Sequence, residues 1–185
     1  ADEAYTTDSN TDYSVQLAKI KKSGAELLFL PNYYSDNALI LQQASEAGMD
    51  IKFFGVDGMD GILTLEGFDT SLAEGVMLLT PFNADATDEK TQSFVTKYKE
   101  LYGDVPNQFA ADAYDCVYAY KAALEASGAT ADMSAEELCD KMIEAFPTLT
   151  YDGLTGTGIT WDSTGAVSKT PKGMVIKNGA YVGME

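Results

Sequence analysis

The chain has 185 residues, of which 29 are Asp or Glu and 12 are basic, giving a formal charge of −17. All the basic residues are Lys, with no His and no Arg. Nucleic-acid binding is therefore not expected, because scattered lysines in so negative a field build no basic face to displace counterions from phosphate. Docking on anionic lipid is disfavoured for the same reason. Without His there is no Ser-His-Asp triad, no Cys-His pair and no H-E-x-x-H zinc site, and without Arg there is no bidentate clamp for carboxylate or phosphate.

Apolar residues make up 45% of the chain, with 11 Tyr and 8 Phe, which places it among globular sequences rather than acidic disordered tails. No apolar run is long enough to cross a bilayer, and no signal peptide is visible. The opening Ala1-Asp2-Glu3 lacks Met, as a processed, excised or truncated chain would. Cys116 and Cys139 form no metal or redox spacing, and a disulfide or two buried thiols are equally compatible with them.

Asp12 is placed to cap a helix running to Ser23, with Tyr13, Leu17 and Ile20 on one stripe and Gly24 as its stop. Glu26 to Leu30 reads as a strand covered on both faces. Ser35 or Asp36 is expected to cap a second helix, Asn37 to Ala47, ended by Gly48. Lys52 to Gly55 is the next strand, a short helix is expected near Ile62 to Leu65, and Gly75 to Thr80 is another strand. This order predicts a parallel sheet with crossover helices.

The rhythm then changes. After a polar connection from Pro81 to Asp88, three helices follow without intervening strands. The first spans 88–102, with Phe94, Tyr98 and Leu101 on one side. The second spans 108–127, with Phe109, Val117, Tyr120 and Leu124 inward. The third opens at a capping box, Ser134-x-x-Glu137, and carries Leu138, Met142 and Phe146. The tail returns to strand-like segments, Leu154 to Trp161 and Gly173 to Lys177, around a turn at Asp162-Ser163-Thr164-Gly165. Asn178-Gly179 signals a closing hairpin.

Several strings fall short of functional motifs. Asp8-x-Asn10-x-Asp12 starts like a calcium loop, but Tyr13 stands where glycine is needed and Lys19 where the bidentate Glu belongs. Gly156-Thr157-Gly158 lacks the third glycine of a dinucleotide loop. Phe68-Asp69-Thr70-Ser71 lacks the glycine of an aspartic protease loop. No metal site and no cofactor are expected.

What remains is a pair of loops. Ligands of open α/β sheets bind beyond the carboxyl ends of the strands. One such loop holds Tyr33 and Tyr34, and the next holds Asp57, Gly58 and Met59. An acid against an aromatic wall suits an ammonium group, through charge pairing, hydrogen bonding and cation–π attraction. The structural alternative is that both tyrosines pack the loop and Asp57 caps a turn.

At these residues the chain resembles the second lobe of the type I periplasmic binding proteins, in particular the branched-chain amino-acid substrate-binding proteins of ABC transporters. The resemblance rests on Thr11-Asp12-Tyr13-Ser14-Val15-Gln16-Leu17, Tyr33-Tyr34, Gln43-Ala44-x-Glu46-Ala47-Gly48 and Gly55-x-Asp57-Gly58. It continues through Ala73-Glu74-Gly75-Val76, Ala113-Tyr114-Asp115-x-Val117 and Gly158-Ile159-Thr160-Trp161-Asp162-x-x-Gly165. It implies a Rossmann-like α/β lobe with a parallel sheet, truncated and accompanied by helices of the partner lobe. Residues 1–82 would belong to the second lobe, 83–150 to the first, and 151–185 to the second again. The three helices would then rearrange, associate with a second copy, or need a sheet from elsewhere.

The same resemblance implies a binding protein and not an enzyme, holding an amino acid, branched-chain or related, and delivering it to a membrane permease. Asp57 matches the acid for the α-ammonium, one of Tyr33 and Tyr34 matches the neighbouring aromatic, and Met59 would tune the side-chain pocket. Phe109 leads into a first-lobe helix near the cleft. The implied location is periplasmic or extracellular, including tethering as a lipoprotein. A sensor domain of the same fold, or a binder of amides or urea-type solutes, are the competing readings.

Overall fold

A computed structural model describes residues 1–184. The chain forms two compact units, one of residues 1–80 with the segment from Lys172 onward, the other of residues 81–171.

The first unit is a sheet packed with helices. Helix α1 spans Ser14–Ser23, strand β1 Leu27–Leu30, helix α2 Tyr34–Glu46, strand β2 Lys52–Gly55 and strand β3 Met77–Thr80. After the second unit come β4, Lys172–Lys177, and β5, Ala180–Gly183. The sheet order is β1-β2-β3-β4-β5, with the first three strands parallel and the last two antiparallel. Asn178 and Gly179 both have positive φ, as the tight turn between β4 and β5 requires.

The core draws Tyr13 and Leu17 from the α1 region, Leu41 and Ala44 from α2, and Leu78 and Ile176 from the sheet, all nearly or fully buried. The predicted stripe of α1 is the face it buries, and Gly24 ends the helix in the left-handed region with φ 73°.

Helix α2 begins earlier than the Ser35 or Asp36 cap predicts. Tyr33 occupies the N-cap position, and Asp36 lies inside the first turn. Its carboxylate serves another purpose: Oδ2 accepts from the Tyr5 hydroxyl at 3.1 Å, and Oδ1 accepts from the Tyr13 hydroxyl at 3.1 Å. Burial first, and then the adjacent Asp36, push both tyrosine hydroxyls above their ordinary range, so they remain donors. Gln43 adds a second clasp, accepting from Tyr13 N at 2.7 Å and donating to Thr11 O at 3.0 Å. The segment before α1 is thereby sewn onto α2.

Strand β1 departs from the expectation of cover on both faces. Leu30 is buried, but Leu27 and Phe29 are about half exposed on the opposite face. Phe29 stacks on Phe54 of β2 at 5.8 Å between ring centroids.

The second unit holds α3, Glu89–Tyr102, α4, Gln108–Ser127, and α5, Ala135–Ala145. The helix caps follow the sequence. Asp88 and Asn107 accept from backbone N–H groups of the first turns, and Ser134 and Glu137 form the expected capping box. The buried face of α4 does not follow it. Ala111, Asp115, Ala119 and Ala123 are buried, whereas Val117 and Tyr120, expected inward, are exposed. Small side chains let the neighbouring chain approach α4 closely, and the large ones are left on the other side. Along α3 and α4 the rings of Phe82, Phe94, Tyr114 and Tyr118 follow one another at centroid distances of 6.0, 5.2 and 4.5 Å.

Leu154 to Trp161 does not form a strand. Two isolated bridges, Tyr151 with Ile159 and Trp161 with Val167, replace it. The reason is Asp115, a carboxylate only 6% exposed. It accepts from Leu154 N and Thr155 N, each at 2.8 Å, from Thr155 Oγ1 at 2.7 Å and from the Tyr151 hydroxyl at 3.2 Å. Backbone donors spent on a carboxylate are lost to a strand ladder. A Cβ on Gly153 would stand 2.4 Å from the same carboxylate, so only glycine fits there. Residues 151–171 thus lie in one compact unit with the helices, and the chain rejoins the sheet at Lys172. Cys116 and Cys139 are both free and exposed.

Two expected outcomes follow from these arrangements. Asp115→Ala strands several buried donors at once. It should lower unfolding stability by about 3 kcal/mol or more, read by denaturant titration followed by Tyr and Trp fluorescence. Strand β1 has no neighbour on its outer side among the described residues and carries exposed Leu27 and Phe29. The isolated 185-residue chain should therefore associate through this edge as concentration rises, and Phe29→Lys should reduce the association in light scattering. A strictly monomeric parent chain at high concentration would contradict this.

A candidate ligand site at the strand ends

The register of β1 and β2 decides where the candidate residues meet. Leu30 pairs with Gly55, so two neighbouring parallel strands end level and their loops leave side by side. The first loop is Pro31–Tyr33, and the second opens with a single 3-10 turn, Asp57–Met59.

The loops touch through a glycine. A Cβ placed on Gly58 would stand 2.7 Å from Asn32 O and 3.4 Å from Tyr33 Cα. Such a close approach excludes any side chain at this position. The acid loop and the aromatic loop are therefore packed backbone to backbone, and Gly58 is buried between them.

Around that contact the candidates separate into exposed and enclosed groups. Tyr33 is 65% exposed at the N-cap of α2. Tyr34, the first helical residue, is half-buried and packs on the core of the unit. The choice that the sequence leaves open is thus divided by position, with Tyr33 toward solvent and Tyr34 toward the core. Asp57 is exposed as the first residue of its turn, where Val56 holds the N-cap position. Its carbonyl accepts from Asp60 N at 3.0 Å, and Met59 N donates to Val56 O at 2.9 Å, which closes the turn.

Met59 points inward and is fully buried. Its side chain fills the space over Gly55, where an added Cβ would meet Met59 Cβ and Cε at 2.7 Å. Met59 therefore presents no surface to solvent, and its contribution at this place is to anchor the loop. Phe109 lies in the first turn of α4, half-buried, within the second unit.

Two supporting residues were not singled out from the sequence. Asn37, completely buried on the first turn of α2, donates from Nδ2 to Asn32 O at 2.9 Å and to Met59 Sδ at 3.5 Å. Its sequence signal is a polar residue in register with the apolar stripe of Ile40, Leu41 and Ala44. Tyr181 on β5 accepts at its hydroxyl from Gly61 N at 3.2 Å, which ties down the far end of the acid loop. Burial first, and then the nearby Asp60, raise that hydroxyl above its ordinary range. No local pattern reveals a contact across 120 residues of sequence.

The resulting surface offers one carboxylate and one phenol ring on a rigid base at the carboxyl ends of parallel strands. It suits a small cation with an adjoining apolar part. Among the described residues no group of three or more His, Cys, Asp or Glu is placed to hold a metal ion. No helix among them is long and apolar enough to cross a membrane.

Comparison with known proteins places the chain in a family. The leucine-, isoleucine-, valine-, threonine- and alanine-binding protein of Pseudomonas aeruginosa is 26% identical over 145 residues, covering 78% of this chain and 36% of its own length. The Leu/Ile/Val-binding protein of Escherichia coli is 25% identical over 146 residues, covering 79% and 39%. Among solved structures, the branched-chain amino-acid transporter substrate-binding protein LivJ of Streptococcus pneumoniae, in complex with isoleucine, superposes with a TM-score of 0.77. It is 26% identical, and the match covers all of this chain and 52% of that one. The leucine-binding protein LivK of Thermotoga maritima shares the fold with a TM-score of 0.80 at 24% identity, over all of this chain and 51% of its own. The chain thus spans well under half of these curated relatives and about half of these solved structures. A family model described as periplasmic binding protein matches residues 1–180, and the mixed α/β fold is that of type I. The chain therefore belongs to the periplasmic binding protein family, whose members are solute-binding proteins of transporters and not enzymes.

Proposed function

We propose that this chain supplies one side of a cleft that binds an amino acid, branched-chain or related, for delivery to an ABC permease. The observation that carries the reading is that exposed Asp57 and exposed Tyr33 flank the Gly58–Asn32 contact. Asp57 receives the α-ammonium, and the Tyr33 ring closes over the ligand beside it. A charge-assisted hydrogen bond and a cation–π contact then act on the same group. The names of the relatives, which bind leucine, isoleucine and valine, support the ligand class.

In this reading the sheet unit is the second lobe and the helices of residues 83–150 belong to the first. Phe109 contributes from the first lobe at the start of α4. The protein works in the periplasm or outside the cell, with lipoprotein tethering as one means of staying near the permease. Ligand binding draws the lobes together by a hinge motion, and the closed form is what the permease recognises.

Calorimetry with a panel of amino acids, on the protein carrying both lobes, tests the proposal. Asp57→Asn keeps the shape and removes the charge, so affinity should fall about tenfold to a hundredfold while the melting temperature stays put. Equal affinity with a lower melting temperature would make Asp57 a structural residue. The tyrosines should divide. Tyr33→Ala should weaken binding by about tenfold with little effect on stability, whereas Tyr34→Ala should cost about 2 kcal/mol of stability through lost core packing. If both variants behave alike, the assignment of the ring is wrong.

A further inference from the structure

We propose that Asn37 is a positioning residue for the ligand site, a buried amide that holds the aromatic loop and the acid loop at a fixed separation. The inference rests on the reading of Tyr33 and Asp57 as ligand groups. Its basis is the distribution of the two amide protons. One goes to Asn32 O in the loop that ends at Tyr33, at 2.9 Å, and the other faces Met59 Sδ in the turn that begins at Asp57, at 3.5 Å. A single side chain thus links both loops from beneath, directly under the place where Gly58 abuts Asn32.

The amide has one orientation open to it. Turned about, its oxygen would face the Asn32 carbonyl oxygen, and two acceptors would repel. In the orientation held, Oδ1 is buried without a hydrogen-bond partner among the described residues. An orphaned buried acceptor is costly, and an apolar side chain of similar size would fill the same space without that cost. A residue present only for packing would not be an asparagine. The two donors are what the apolar substitute lacks, and both of them act on the ligand loops.

The variant Asn37→Leu separates a positioning role from a packing role. It removes the orphaned acceptor and both donors while keeping the volume. The orphaned acceptor it removes offsets the donor lost to Asn32 O, so its melting temperature should stay close to that of the parent. Hydrogen exchange at the amides of Met59 and Asp60, which close the turn after Asp57, should nevertheless speed up by about tenfold or more. In the protein carrying both lobes, the dissociation constant for the best amino acid of the panel should rise about threefold to tenfold. Unchanged exchange at these amides, or faster exchange with unchanged affinity, overturns the proposal. If Leu is not accommodated and the variant melts lower, Asn37→Ala measured well below its own melting temperature carries the same two readouts. If the parent protein binds no amino acid, it is the reading of the site that fails. The exchange measurement, which needs no ligand, then still decides whether Asn37 holds the two loops together.

Discussion

Two parallel strands ending level with one another are the constraint on which the site depends. Because Leu30 lies opposite Gly55, the chain leaves the sheet twice at the same height, about 4.8 Å apart by ordinary strand spacing. Loops so close must either diverge at once or pack on each other. Here they pack, and Gly58 is the residue that makes this sterically feasible. Everything chemically distinctive sits on that contact: a carboxylate on one side, a phenol ring on the other, and Asn37 beneath both. The exposed groups owe their placement to enclosed ones. Met59 and Tyr181 hold the acid loop from the core and from the far edge strand, so a surface-exposed Asp57 stands on a base with little freedom.

The two units solve the packing problem differently. The sheet unit has one continuous core of large aliphatic and aromatic side chains contributed by helices, strands and the turns between them. The helical unit has two smaller clusters, one around Phe82 and Val95 and the other around Met142. Leu154 brings the irregular segment into the first of these clusters, and a buried polar centre joins it to the helices as well. Asp115 gathers backbone and hydroxyl donors from residues 151–155 in a nearly water-free setting, where charge-assisted bonds are strong. Glycine at 153 is the steric condition for that arrangement, as glycine at 58 is for the ligand loops. In both places a missing side chain, rather than a present one, sets how close two segments come.

Much of this was readable from the sequence, and the parts that were not have a common cause. Lys52 to Gly55, the left-handed stops at Gly24, Gly103 and Gly128, the capping box at Ser134 and the Asn178-Gly179 turn are local features, fixed by a few neighbouring residues. The two loops with Tyr33, Tyr34 and Asp57 were located because strand order and strand ends are legible from apolar runs. Misreadings arose where a distant partner decided the outcome. Leu154 to Trp161 has the composition of a strand, but Asp115 takes its donors. Asp36 has the look of a cap, but Tyr5 and Tyr13 claim its oxygens. Helix α4 has two faces of comparable hydrophobicity, and periodicity alone gave no reason for the alanine face to be the inner one. The division between Tyr33 and Tyr34 depends on where α2 begins, a boundary that shifts with such contacts.

The antiparallel pairing of β3 with β4, in which Thr80 meets Lys172, carries a consequence for the order of events during synthesis. The three parallel strands are complete once the ribosome has passed Thr80, but the strand that covers the open side of β3 is made only after all of residues 81–171. Until it is made, β3 lacks the neighbour it has in the finished sheet. Because Thr80 pairs with Lys172, the docking of Lys172 to Lys177 and the meeting of the helical unit's two ends are one event. Closure of the sheet by the β4–β5 hairpin is thereby linked to the inserted unit, whose ends lie side by side when the hairpin docks. A chain whose helical unit misfolds would retain an open β3 edge and would be marked for association or proteolysis by that edge alone.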